Sequence, residues 1–422
     1  MKVLVVGSGG REHALCWKLS QSPMVEKIYC VPGNGGIEEI AQCVDLEYEK
    51  SFSELVGLIK KEKIDYTLVG PEAPLVAGIV DYFRKRKLKI FGPSKKAARI
   101  EGSKVFAKRF MKKYQIPTAD FAIFSDSVKA IEYIEKQSKP QVIKADGLAG
   151  GKGALVCETK REAVKAVKQI LEEKAFGDAG KRIVVEERLR GKEISFFVLT
   201  DGTAVKALVS SQDHKPISDY DSGPNTGGMG AYSPAPLSPS LFRKIMGRII
   251  RPTLLGLKEE DSPYRGVLYL GLMIEAGEPK VLEFNARFGD PETQVTLPRL
   301  KNDLLKVLLA VSEGSLERLK LEWRRQAATC VILSSAGYPG KYETGKTIEG
   351  LSQLSHLKNV LPFWAGVKRE NGNLITSGGR VLGITALADT INESIRQAYR
   401  GVSKVHFEGM HYRNDIGYQA LK

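Results

Sequence analysis

Apolar and polar positions along the first hundred residues alternate between two kinds of pattern. Short apolar runs at 2–6, 28–31, 66–69 and 89–91 read as strands, the first ending in Gly7-Ser8-Gly9-Gly10. Between them lie helical stretches, with Ala14, Leu15 and Leu19 on one face of the first, and others over 52–59 and 75–83. Continuous apolar strands separated by helices predict crossovers and a small doubly wound parallel sheet, closing near Gly102. The texture changes after Ser103. A helix over 104–114 stops ahead of Pro117, because the residue before proline avoids helical geometry. Strands at 141–145 and 154–159 flank a glycine-rich loop, and a helix follows with Ala163, Val164, Val167, Ile170 and Leu171 at helical spacing. Strands at 183–187 and 194–199 come next, and then 211–239 turns polar and rich in Gly, Pro and Ser, with little periodicity. So long an irregular stretch in an enzyme is more often an active-site loop than a linker. A helix over 241–257 and a hairpin of 267–274 with 280–284 complete this block. From about Gln326 the chain is strand-rich again, with one helix near 391–403.

The expected fold class is therefore α/β and α+β multidomain: an N-terminal doubly wound parallel sheet over 1–102, a central block over 103–325 and a C-terminal α+β domain over 326–422. The 422 residues suffice for roughly two to four domains. Apolar residues at 42% and charged residues at 27% exclude a disordered chain. The apolar runs are too short to span a bilayer, and the first breaks at Gly7 without a signal-peptide cleavage region, so no membrane partner is expected. The five cysteines are scattered and lack a Cys-x-x-Cys pair, which points to a reducing cytoplasm. Lysine and arginine exceed the acids by 64 to 49, a net charge of +15. That balance suits nucleic acid or small anionic substrates. The basic residues are dispersed, however, and the densest run, Arg84-Lys85-Arg86-Lys87, reads as a solvated helix end. With no nucleic-acid-binding signature in view, nucleic acid is not an expected partner.

Gly7-Ser8-Gly9-Gly10-Arg11-Glu12-His13 joins a strand to a helix and offers backbone N–H groups to an anion. As a dinucleotide fingerprint it is defective: Glu12 holds the third glycine position, and the second strand ends in Val31-Pro32-Gly33-Asn34 rather than an acid. A phosphate site and a plain tight turn both remain open there. Gly70-Pro71-Glu72-Ala73-Pro74-Leu75 lies at a strand's C-terminal end, where open α/β sheets bind ligands. The loop 147–153, Gly-Leu-Ala-Gly-Gly-Lys-Gly, follows Lys144 and precedes a strand rather than a helix. It is thus no Walker loop but a hairpin able to fold over phosphates, or else a glycine-rich turn with surface lysines. Val185-Glu186-Glu187-Arg188-Leu189-Arg190-Gly191-Lys192-Glu193 puts acids between two strands, as acceptors for ribose hydroxyls or as a charged turn. On strand 281–287, alternation puts Glu283, Asn285 and Arg287 on one face and Leu282, Phe284 and Ala286 on the core face. A carboxylate and an amide oxygen so spaced suit Mg²⁺, and the adjacent arginine could neutralise a phosphoryl group. A solvent-facing polar strand is the alternative. His214, in Ser211-Gln212-Asp213-His214-Lys215, reads as an ordinary hydrogen-bonding loop histidine.

In this order, the glycine-rich hairpin, the Glu186…Glu193 hinge and Glu283-x-Asn285-x-Arg287 resemble the ATP-grasp superfamily. Within it the chain resembles the phosphoribosylamine–glycine ligase (glycinamide ribonucleotide synthetase) family. The segments 9–14, 69–75, 144–153, 211–215, 223–232 and 283–294 carry this likeness, which runs to 412–417 at the far end. The resemblance implies a reaction of purine biosynthesis: ATP, glycine and 5-phosphoribosylamine give glycinamide ribonucleotide, ADP and phosphate through glycyl phosphate. It also implies a lid over about 122–192 and a cytoplasmic, monomeric enzyme. ATP would be held by Lys104, Lys144, Gly150, Gly151, Lys152, Gly153, Glu186, Glu187, Leu189 and Glu193, and Mg²⁺ or Mn²⁺ by Glu283 and Asn285. Arg287, Asp290 and Lys215 would serve catalysis. The substrates would meet Gly9, Gly10, Arg11, Glu12, Pro71, Glu72, Asp213, His214, Asn225, Thr226, Gly227, Gly228 and Met229. One departure stands out: Gly271 occupies the position where many ATP-grasp enzymes carry a further metal-binding carboxylate. Another ATP-grasp ligase with a different acid or amine is the rival reading, and a nicotinamide dehydrogenase would rest on the N-terminal glycines alone.

Overall fold

A computed structural model describes residues 1–421. Five parallel strands form the N-terminal sheet in the order Gln42–Cys43, Lys27–Pro32, Lys2–Gly7, Tyr66–Val69, Ile90–Phe91. In the middle strand Val3 and Val5 pack into one hydrophobic cluster and Leu4 and Val6 into another, so both faces are covered and the run is continuously apolar. The edge strand Gln42–Cys43 is too short to show a period, and only four strands are legible in the pattern. The helix expected over 75–83 is divided into Glu72–Ala77 and Ile79–Arg84 at Gly78, whose φ of +99° suits a residue without Cβ. Helix Lys95–Gly102, capped by Ser94, leads straight into helix Lys104–Lys113, capped by Ser103.

Next comes a four-stranded antiparallel sheet in the order Phe121–Phe124, Ile183–Glu187, Gln141–Ala145, Ala154–Cys157. Helices Ser127–Glu135 and Lys160–Val167 bury Ala130, Ile134, Ala163 and Val167 against Ile143 and Val185. Alternation then turns Val142, Lys144, Val156 and Glu186 to the opposite face, which lines a cleft. The facing sheet has the order Val205–Ala207, Lys192–Thr200, Gly266–Glu275, Glu278–Asn285, and is antiparallel. Both hydrophobic clusters of the N-terminal sheet continue into it, through Phe196 and Leu270 in one and Phe197 and Tyr269 in the other.

Gly271 opposes Glu283 while Leu272 opposes Val281, so Leu282 is an extra, bulged residue. The bulge corrects the simple alternation: Val281 takes the core position, and Leu282 lines the cleft.

The stretch expected to be irregular over 211–239 holds short strands. Pro216–Ser218 and Ser222–Asn225 form a hairpin, whereas Gln212–Asp213 and Gly230–Ser233 join the C-terminal antiparallel sheet, ordered with Ala327–Ser334, Arg380–Ala388 and Val360–Trp364. Helix Ile391–Val402 packs on this sheet through Ala398 and Val402. Among the described residues, no helix is long and apolar enough to cross a membrane.

Arg413 ties this hairpin to the chain's end. It is fully buried, donating to Asp415 Oδ1 at 2.7 Å, Asp221 Oδ1 at 2.9 Å and the Pro216 carbonyl at 3.2 Å. Removing one partner of a buried pair strands the other's charge. Arg413→Met should therefore cost about 3–5 kcal/mol, read as a lower urea midpoint with faster proteolysis within 216–225. An unchanged midpoint would show that this pairing does not anchor the hairpin.

Candidate active site

A cleft of about 1200 Å³ lies where the two antiparallel sheets face each other. On one side, strand Gln141–Ala145 leads into the glycine loop, where Gly150 and Gly151 adopt φ of +54° and +78°. Asp146 fixes the base of this loop. Its Oδ1 accepts from Ser103 Oγ at 2.7 Å and Val105 N at 2.8 Å, and its Oδ2 accepts from Arg182 Nε at 2.9 Å. The start of the Lys104 helix is thereby pinned beside the loop. Lys144 Nζ donates to Glu186 Oε2 at 3.0 Å and to the Leu282 carbonyl at 3.0 Å. Lys108, one helical turn from Lys104, reaches the same Glu186 oxygen at 3.1 Å, and burial lowers its ammonium to about 8. The other Glu186 oxygen, Oε1, is buried without a hydrogen-bond partner. Leu189 and Glu187 complete this end, with Glu187 paired to Lys139 at 3.2 Å.

Across the cleft, the strand beyond the Leu282 bulge presents Glu283, Asn285 and Arg287. Burial pushes the Glu283 carboxyl upward, but Lys215, Lys104 and Lys144 outweigh it and hold it at about 2, so it stays a carboxylate. Lys215 bonds Glu193 and lies 3.5 Å from Glu283. A Cβ at Gly271 would stand 3.4 Å from Glu283 Cγ and 3.8 Å from Glu193 Oε1, so position 271 does point at this acid pair and carries nothing there. Arg287 is gripped by Glu72 (3.1 Å) and Glu101 (3.3 Å) and donates to Asn285 Oδ1 at 3.4 Å. Burial favours the neutral form of Glu72, yet Arg287 and Arg11 hold its carboxyl at about 2. Glu101 goes the other way: burial lifts it to about 7 despite Arg287.

Asp290 meets Arg380 Nη2 at 3.0 Å and accepts from Gln294 Nε2 at 2.7 Å. This pair borders both the main cleft and a neighbouring cavity of about 340 Å³ lined by Ser8, Gly9, Asn34, Ser377 and Gly378.

Most residues singled out from the sequence line the main cleft: Arg11, Pro71, Glu72, Lys104, Lys144, Gly150, Gly151, Gly153, Glu186, Glu187, Leu189, Glu193, Asp213, Lys215, Asn225, Thr226, Gly227, Glu283, Asn285, Arg287 and Asp290. Gly9 lines the smaller cavity. The others lie elsewhere. Glu12 is turned beneath the glycine turn, accepting from Gly9 N at 2.6 Å and Arg11 Nε at 2.6 Å. Gly10 packs toward Gln294 and the Phe363 carbonyl. Lys152 reaches outward to the Pro339 carbonyl at 2.6 Å. Gly228 N donates to Thr226 Oγ1, and Met229 is fully buried in the C-terminal core. His214 is also buried, its Nε2 accepting from Gly417 N at 3.2 Å, and burial with Arg413 holds the ring at about 4. Lys108, Glu101 and Arg380 had no motif to announce them, although Lys104 and Lys108 share a helix face by spacing and Arg380 follows Gly378-Gly379, whereas Asn34 and Glu292 lie in the segments 31–34 and 283–294 without a role of their own there.

Two antiparallel sheets closing a glycine-rich loop against an acid–amide strand make this an ATP-grasp protein by fold. A biotin carboxylase from Campylobacter jejuni, solved as a β,γ-ATP complex, shares that fold at a TM-score of 0.73 and 15% identity, over 97% of this chain and 92% of that one. The chain belongs to the phosphoribosylamine–glycine ligase family: models of the phosphoribosylglycinamide synthetase N, ATP-grasp (A) and C domains match residues 1–101, 102–293 and 328–419. It is 49% identical over 422 residues to the phosphoribosylamine–glycine ligase of Halalkalibacterium halodurans, covering 100% of this chain and 97% of that protein. The Caldanaerobacter subterraneus ligase is likewise 49% identical, over 417 residues and 99% of each chain. The crystal structure of the Thermotoga maritima phosphoribosylamine–glycine ligase superposes with a TM-score of 0.86 at 36% identity, over 99% of this chain and 100% of that one.

Glu101 generates a pH prediction. With its native pKa raised from 4.5 to about 7, the folded state keeps a proton that the unfolded chain releases. The resulting stabilisation is complete below pH 4.5 and is lost as pH rises through about 7. Glu101→Gln, which mimics the protonated form, should match the wild type in urea unfolding near pH 5 and exceed it near pH 8. Parallel pH curves for the two proteins would contradict the assignment.

Proposed function

We propose that the chain is an ATP-dependent ligase joining glycine to 5-phosphoribosylamine, with glycinamide ribonucleotide, ADP and phosphate as products in purine biosynthesis. The observation that carries this reading is the continuity of the sites. A cleft with lysines and a glycine loop at one wall and Glu283, Asn285 and Arg287 at the other adjoins, through Asp290–Arg380, a second cavity beside the N-terminal glycines. ATP, an acid and a phosphorylated amine thus have adjoining places.

In this mechanism, Lys104 and Lys144 hold the phosphates, with the loop amides closing over them as part of a lid. Lys144 would exchange its bond to Glu186 for a phosphate oxygen. The adenine and ribose lie toward Glu186, Leu189 and Glu193. Glycine's carboxylate attacks the γ-phosphate in line, forming glycyl phosphate and ADP, and Arg287 offsets charge on the transferring group. The amine, seated from the Gly9–Asn34–Arg380 side, attacks the activated carbonyl and expels phosphate. Glu283 and Asn285 offer a carboxylate and an amide oxygen; that oxygen, Asn285 Oδ1, takes a 3.4 Å bond from Arg287 Nη2, which a cation would replace. That donor set suits Mg²⁺ or Mn²⁺, whose remaining ligands would be phosphate oxygens and water. When bound, the cation would neutralise the β- and γ-phosphates. Without a carboxylate at Gly271, the protein supplies few ligands, which makes metal binding depend on the nucleotide. A reducing, cytoplasmic setting is supported by five free cysteines, four of them buried.

The test is ADP release from ATP and Mg²⁺ with glycine, with and without fresh phosphoribosylamine. ADP and glycinamide ribonucleotide should form together only when both are present; ADP formation with another acid or amine would move the assignment to that pair. Glu283→Gln should lower the rate about 100-fold or more while the circular dichroism spectrum is unchanged. Near-normal turnover by that variant would remove Glu283 from the metal site.

A further inference from the structure

We infer that Lys152 is a latch rather than a phosphate ligand: it fastens the tip of the glycine loop to the C-terminal domain, so that enclosing the nucleotide and shaping the second cavity are one closure. The inference rests on the ligase reading and deepens it. The loop turns sharply, with Lys152 N donating to the Ala149 carbonyl at 3.0 Å across Gly150 and Gly151, both in the left-handed region. This turn parts the neighbours. Gly150, Gly151 and Gly153 line the main cleft, while Lys152 is exposed and its Nζ donates to the Pro339 carbonyl at 2.6 Å. Gly151 lies against residues 226–227: a Cβ there would stand 3.3 Å from the Thr226 carbonyl oxygen, so a side chain would hold the tip away from that wall.

Tyr338 and Pro339 are adjacent in the loop after strand Ala327–Ser334, and each holds one piece of the cleft wall. Tyr338 Oη accepts from Gly227 N at 3.0 Å, and the Pro339 carbonyl takes Lys152. The same loop rests on the second cavity. Ser335 N donates to the Gly379 carbonyl and Ser335 Oγ to the Gly378 carbonyl, both at 2.8 Å, and the Tyr338 ring fills the space that a Cβ on Gly379 would need. Gly378 lines that cavity. Arg380, two residues on, borders both spaces and donates to the Gly227 carbonyl at 2.6 Å. The lid tip and the cavity wall are thus joined through one short loop. Asp146 holds the base of the glycine loop from the other side, so the exposed and individually modest Lys152 bond is a contact that a closing lid can make and break. The chemistry gives this coupling a use. An acyl phosphate open to water is hydrolysed, and a lid that shuts most firmly when the amine's cavity is formed protects it. By linkage, each ligand then tightens the other.

The first test is amide hydrogen exchange on the full chain, with and without adenosine 5′-(β,γ-imido)triphosphate and Mg²⁺. In the wild type the analogue should slow exchange at 147–153 and, by about fivefold or more, at 337–341 in the C-terminal loop. Lys152→Met keeps the length of the side chain without its ammonium; it should retain the protection at 147–153 and lose that at 337–341. The second test titrates ribose 5-phosphate, as a probe of the second cavity, into each protein. It should bind the wild type about fivefold more tightly when the analogue is present, and the variant within about twofold of equally in both states. Tyr338→Phe, which removes the hydroxyl under Gly227, should weaken the same coupling, and the double variant should lose no more than Lys152→Met alone. Equal protection at 337–341 in wild type and Lys152→Met, or equal coupling in the two, overturns the inference. So does an analogue Kd raised about 50-fold or more in Lys152→Met with that protection retained, which would return Lys152 to the phosphates. If the wild type binds no analogue at all, it is the ligase reading that fails, and the inference falls with it.

Discussion

A guanidinium cannot be taken out of water without anions around it, and Arg287 is surrounded by acids drawn from two separate parts of the chain. Glu72 opens the helix after an N-terminal strand, Glu101 sits near the end of helix Lys95–Gly102, and Arg287 follows strand Glu278–Asn285. Their pairing joins the parallel sheet to the central antiparallel sheet at the floor of the cleft. Glu101 adds a second tie by accepting from Ala286 N at 2.6 Å, so the same acid that grips the side chain also holds the backbone next to it. Losing Arg287 would strand the buried Glu72 carboxylate, and losing Glu72 would remove the carboxylate that faces Arg287. The arrangement thereby fixes both where Arg287 points and how the first two sheets meet.

The rest of the cleft follows the same principle of charge balance. Lys108 and Lys144 share one oxygen of Glu186, Lys215 bridges Glu193 and Glu283, and Asp290 engages Arg380. Ligands entering such a cleft exchange partners with side chains rather than finding bare charges, which limits the desolvation cost of binding. Asp213 Oδ1 and Glu186 Oε1 are buried acidic oxygens left without a partner, and both belong to residues of the cleft.

How much was legible in advance varied with the length of the element. The strand Lys2–Gly7, the helix Lys104–Lys113 and the hairpin of Gly266–Glu275 with Glu278–Asn285 are long enough for periodicity to declare them. Gln42–Cys43, Gln212–Asp213 and Gly230–Ser233 are two to four residues each, and no period can be read from so few positions. The Leu282 bulge is invisible for a related reason: one unpaired residue changes which side chains face the cleft without altering the composition of the strand. Among site residues, those embedded in glycine-rich or acid–amide motifs were recognisable from their spacing. Lys108, Glu101 and Arg380 sit in ordinary contexts, and only their neighbours in space give them a role.

The sequence by itself determined the local chemistry: buried parallel strands from unbroken apolar runs, a glycine-rich loop from Gly147 to Gly153, and an acid and an amide two residues apart on one strand. These are properties of neighbouring residues, and neighbours in the chain are enough to specify them. The tertiary structure alone decided which charges meet. Glu72 and Arg287 are 215 residues apart, and Asp290 and Arg380 are separated by 90. Whether an acid becomes a carboxylate held near 2, as Glu283 is, or a carboxyl lifted to about 7, as Glu101 is, depends on burial and on the partner folding brings beside it. Coulombic and desolvation energies depend on distance through space, and distance along the chain does not encode it.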